Sequence, residues 1–152
     1  MALVGLLSRG IRNTLDAHGD ALEPLALAHG LPEGAGEHLA QTIEAIPGLL
    51  VALDREVQRG DRDAQAMWSQ LLSYLLLDED LIPSRDGAPI DGLLDDAYLV
   101  HAVVVRVLRT ISGDTKLDPR SVSGGAELLK QVLPTPVLAA LDARIEAALR
   151  AR

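Results

Sequence analysis

The chain has no cysteine and no phenylalanine, and Trp68, Tyr74 and Tyr98 are its only large aromatic residues. Without cysteine there is no disulfide, no thiolate nucleophile and no Cys-ligated zinc, a pattern that suits a reducing cytoplasm. Without aromatic bulk, a core must be assembled from aliphatic side chains. Lysine is almost as scarce: Lys116 and Lys130 are the only two, and Lys and Arg together number 14 against 22 Asp and Glu. A formal charge of −8 with scattered arginines argues against a nucleic-acid surface, which needs clustered cations to displace counterions from phosphate. Long apolar runs are missing too. "LLSYLLL" and "AYLVHAVVVRVL" fall well short of the roughly 20 residues that span a bilayer. "MALVGLLSRGIRNTL" has no basic residue ahead of its apolar run and makes a poor signal peptide.

What is present is Ala and Leu, within 48% apolar residues over 152 positions, enough for one domain with its own core. Such a composition favours helices. The expected fold is all-α: a single compact bundle of about six or seven helices spanning residues 1–152, with an acidic loop between the two central helices.

Leu3, Leu7, Ile11 and Leu15 recur every four residues and predict an amphipathic first helix ending near Gly19. Asp20 is placed to cap a short second helix through His29, before "HGLPEGAG" forces a loop. From Glu37 to Arg59 a helical pattern resumes and breaks at Pro47-Gly48, with a helix from Pro47 to Gln58 that carries Pro in its first turn. Ala64, Met67, Trp68, Leu71, Leu72 and Leu75 form one stripe that carries a helix to about Leu77. Gly92 to about Ile111 reads as the central helix. In it Asp95, Ala102, Arg106 and Arg109 share a narrow sector, which leaves Leu94, Tyr98, Val103, Val104, Val107 and Leu108 to face neighbours. "SGDTKLDPRSVSGG" reads as a turn-rich connection to a helix around Ala126 to Leu133. A last amphipathic helix follows "PTP".

The stretch between the two central helices, "DEDLIPSRDGAPIDGLLDDA", holds seven acids and one Arg in twenty residues. Three readings compete for it. In the first, Asp80 caps a turn at Leu81-Ile82-Pro83, Asp91 caps the helix beginning at Gly92, and Asp95 and Asp96 sit where the helix dipole favours negative charge. In the second, Asp80, Asp91, Asp95 and Asp96 offer oxygen ligands to Mg²⁺ or Ca²⁺, as in a cation sensor or a metal-dependent hydrolase, although the spacing is not that of an EF-hand. In the third, Asp78, Glu79 and Asp86, which no cap accounts for, contact another protein.

"YLLLDEDLIP" followed by "GLLDDAYLV" resembles the bacterial YkvA-like family. Its usual core is an apolar helix, Asp-Leu-Ile-Pro-Asp, a short loop, Gly-x-Leu-Asp-Asp and a second apolar helix. Asp80 to Pro83 and Gly92 to Asp96 are the matching positions, and the family-like core extends over about residues 46–111. Where the family commonly has Asp after Ile-Pro this chain has Ser84, and the following loop is about two residues longer. The resemblance implies a small helical domain of unknown biochemical function, associated with membranes in some members, and supplies no mechanism.

No nucleophile elbow, Walker loop, dinucleotide fingerprint or H-E-x-x-H segment occurs, so no catalytic residue is assigned. "SVSGGAELL" places two glycines ahead of a helix, a weak anion site without a neighbouring Lys or Arg. His101 points away from Asp95 and Asp96 around its helix and reads as a satisfied, partly buried side chain. His18, His29 and His38 show no ligand spacing. The expected function is that of a non-catalytic cytoplasmic interaction or adaptor module whose partner is another protein. Peripheral membrane contact through the first helix and self-association through the last are the alternatives.

Overall fold

The computed structural model describes residues 2–57, Arg62, Gln65, Trp68, Ser69, 89–110 and 119–150. Among these the chain is helical, with no strand. The first helix, α1 (Ala2–His18), runs through a short tight turn at Gly19–Ala21 into α2 (Leu22–Ala28); α3 (Ala35–Glu44) and α4 (Ile46–Val57) follow. Beyond them lie α5 (Pro89–Thr110), α6 (Pro119–Val132) and α7 (Thr135–Arg150). Arg62, Gln65, Trp68 and Ser69 are helical as well, the last three within the expected helix of Ala64 to Leu77, most of which is outside the described residues.

Helix α5 is the hub. It packs against α1, α3, α4, α6 and α7, most extensively against α6. Buried residues run almost continuously along it from Leu94 through Val104, a pattern a helix adopts only when neighbours surround it. Among its β-branched residues Ile90, Val100, Val103 and Val104 are buried, so packing outweighs their weak helix preference. The neighbours contribute conventional stripes: Leu39 and Ile43 from α3; Ile46, Leu49, Leu50 and Leu53 from α4; Val122, Ala126 and Leu129 from α6; Leu141 and Ile145 from α7.

Proline and glycine divide the chain. Helices α3 and α4 part at Ala45, two residues before Pro47, whose missing N–H is tolerated in a first turn but not in a helix interior. At the end of α2, the Leu31 N–H donates to the Ala26 carbonyl and the Gly30 N–H to that of Leu27. This is a Schellman ending, with Gly30 at φ +78° supplying the left-handed residue it needs.

Asp20 does not cap α2. It lies in the tight turn, the cap position falls to Ala21 without any side-chain bond, and the Leu22 N–H donates to the Gly19 carbonyl. The tight turn at Gly19–Ala21 leads directly into α2, so few amides there need a side-chain acceptor. The cap that matters is tertiary. Glu23, in the first turn of α2, accepts from the Gly34 N–H at 3.0 Å and from the Gly36 N–H at 3.4 Å, and so closes the start of α3 from the adjacent helix.

Helix α6 begins seven residues earlier than its apolar pattern indicates, at Pro119 rather than Ala126. Pro119 at a first helical position is pre-set for helix. Gly124 and Gly125 therefore lie inside α6 instead of ahead of it, which removes the free helix N-terminus that an anion site on "SVSGG" requires.

Candidate functional site

Asp78, Glu79, Asp80 and Asp86 lie outside the described residues, as does the Leu81-Ile82-Pro83 turn. Asp91 does not precede its helix: α5 opens at Pro89, so Asp91 occupies the first turn, where the helix dipole favours its charge, and not the cap position. Asp95 and Asp96 are in the next turn. Asp95 is 0% exposed and Asp96 is half-buried, and both take part in polar interactions. Consecutive helical positions diverge by about 100°, so only the first of the two is directed fully into the protein. Among the described residues no group of three or more His, Cys, Asp and Glu gathers as metal ligands would.

The Asp95, Ala102, Arg106 sector is not a solvent face. Asp95 is buried, Ala102 and Arg106 are half-buried, and Arg106 turns toward an acid of α7. Arg106 pairs with Glu146. The Tyr98 hydroxyl, one turn beyond Asp95, donates to Asp142 Oδ1 at 2.7 Å. Burial pushes the Tyr98 phenol well above its usual range, reinforced by the bond to Asp142 and by the charges of Asp142 and Glu127, with Arg106 acting the other way. This arrangement fastens α7 to the hub through polar contacts.

His101 faces another side of α5. It is 3% exposed, and its Nδ1–H donates to the Ala97 carbonyl one turn back at 2.8 Å, which fixes the neutral tautomer with the lone pair on Nε2. Helix α6 crosses directly over the ring. A Cβ on Gly125 would come within 2.7 Å of Cδ2 and 2.9 Å of Nε2, so a glycine is required for the approach. Beside this crossing α3 and α6 diverge into an open cleft of about 660 Å³, with His101 in its lining. Its lining mixes apolar residues such as Ala35 and Leu128 with polar ones such as Gln41, Thr42, Glu127 and Gln131.

Burial holds the His101 pKa below its ordinary 6.5, with the Ala97 bond opposing the shift. The folded chain therefore binds this proton less readily than the unfolded chain. The stabilising contribution is complete above pH 6.5 and declines as the pH falls from there toward the lower folded value. Urea denaturation at stepped pH should show that decline in the wild type and a flatter profile in His101→Gln.

His18, His29 and His38 are exposed. His29 donates through Nδ1 to the Leu25 carbonyl at 2.9 Å, as a C-terminal helix residue can. The apolar face of α1, a candidate for lipid, buries Ile11 and packs on α3, α4 and α5. No helix of the described residues is long and apolar enough to cross a membrane.

Three features had little or no signature in the chain. The Glu23 cap joins residues eleven and thirteen positions apart, the Tyr98–Asp142 bond spans forty-four, and the cleft depends on how α3 and α6 diverge. Only the paired glycines hinted at a close approach. The chain matches no family model, no curated protein and no solved structure.

Proposed function

We propose that this chain is a non-catalytic helical module that binds another protein through the acidic connection ahead of α5, with Asp78, Glu79 and Asp86 as the contacting acids. One observation carries the reading. Asp91 lies in the first turn of α5, where the dipole favours its charge, and Asp95 and Asp96, in the next turn, take part in interactions within the fold. For Asp78, Glu79 and Asp86 the sequence indicates no cap to form. A net charge of −8 favours a basic protein surface as the complement and speeds encounter with it.

The reading takes residues 1–152 as one bundle of about six or seven helices in the cytoplasm, with a helix from Ala64 to about Leu77 ahead of the acidic connection. It also takes the chain as YkvA-like on the strength of "DLIP" and "GLLDD".

The triple reversal Asp78→Lys, Glu79→Lys, Asp86→Lys tests it. The variant should keep the wild-type melting temperature, and its partner, recovered at low salt and identified by mass spectrometry, should bind at least about tenfold more weakly by titration. Unchanged affinity in a folded triple variant would dismiss the acids as the contact surface.

A further inference from the structure

We propose that the cleft between α3 and α6 is a binding site for a small uncharged organic molecule that presents an N–H or O–H donor, on an otherwise apolar body, to Nε2 of His101. The inference is independent of the acidic connection. The cleft, at about 660 Å³, has the size of ordinary small-molecule sites, which combine an apolar wall with a few placed polar groups.

The second observation is the histidine itself. Its Nδ1–H is committed to Ala97, so Nε2 can only accept, and among the described residues nothing donates to it. The side chain is 3% exposed, yet Nε2 is not among the sealed, unpartnered atoms, so it offers an acceptor at the edge of the cavity that a donor from water or a ligand can complete. Water can do so when the cleft is empty, and a ligand N–H or O–H would replace that water.

Charge narrows the class. The described lining has no Lys or Arg, and its one carboxylate, Glu127, is engaged at 3.2 Å by Lys130 on the same helix. An anion would find no cation to meet it, and the Nε2 lone pair would repel it. A cation would meet a carboxylate that already has a partner. A neutral nitrogen heterocycle with one N–H fits the acceptor and the wall together.

Benzimidazole is a suitable probe, with benzoate of similar size as the anionic comparison. Titrated to roughly 10 mM, about ten times a millimolar dissociation constant, benzimidazole should produce saturable NMR shifts of the Gly124, Gly125 and Thr42 amides and of the His101 Nε2 nitrogen. Benzoate should not. His101→Phe should weaken binding at least about tenfold. Gly124→Leu keeps the histidine and extends a side chain from a position whose Cβ has open space around it; it should block the probe without lowering the melting temperature. Absence of saturable shifts, equal binding of benzoate, or undiminished binding to a folded Gly124→Leu protein would each overturn the proposal.

Discussion

Gly36→Ala is expected to lower the unfolding free energy by about 3 kcal/mol, the upper end of what overpacking costs. A Cβ at this position would lie 2.6 Å from both Cα and N of Glu23. Those are backbone atoms of α2 and have no rotamer to escape into, so the two helices must separate. Separation also withdraws Glu23 from the Gly34 and Gly36 amides, leaving the start of α3 without its acceptor. Gly10→Ala in α1 is the matched control, since its Cβ would meet nothing within 4 Å. There helix propensity alone acts, and the change should stabilise by roughly 0.5 to 1 kcal/mol. Urea denaturation of the two variants should move the midpoint in opposite directions.

Tyr98→Ala is expected to be as severe, at about 3 to 5 kcal/mol. Tyr98 is the largest of the fully buried side chains among the described residues, on the helix that touches most of the others, and its removal opens a cavity where α5 meets α7. Tyr98→Phe separates the two contributions: the ring stays and only the hydroxyl bond to Asp142 is lost, at about 1 to 2 kcal/mol. Because the folded phenol titrates above its ordinary 10.0, the bond contributes fully below that pH and its contribution is lost as the pH climbs through the folded value. Wild-type stability should therefore fall in strong alkali where Tyr98→Phe does not. The double variant with Asp142→Ala should lose little more than either single change if both remove one interaction.

These variants probe what the sequence left hidden. Periodicity located α1, α4, α5 and α7 because each carries an apolar stripe at helical spacing, and the crowded apolar face of Leu94 to Val104 marked α5 as central. It failed where backbone chemistry misled. Pro89 and Pro119 read as loop residues but stand at first helical positions, so α5 took in Asp91 and α6 took in the Gly124-Gly125 pair. Asp20 looked like a cap, yet a continuous turn left it nothing to cap. Contacts between helices leave no trace in a local pattern: nothing near Glu23 announces the Gly34 and Gly36 amides, and nothing near Arg106 announces Glu146. The apolar residues of α5 do face its neighbours as expected, with Leu94, Tyr98, Val103 and Val104 all buried; what the pattern did not show is that Arg106, in the polar sector, pairs with Glu146 of α7. Of the acidic segment, Asp91, Asp95 and Asp96 now have places in α5. The assignment of Asp78, Glu79 and Asp86 still rests on charge and on the lack of a cap for them to form.

Hydrogen exchange on the complex with the protein partner tests that assignment most directly. Amides of residues 78–88 should exchange more slowly in the complex than in the free chain, with α1 and α7 unchanged and the protection lost as salt is raised. Protection elsewhere, with residues 78–88 exchanging as they do in the free chain, would contradict an interaction module that works through its acidic connection.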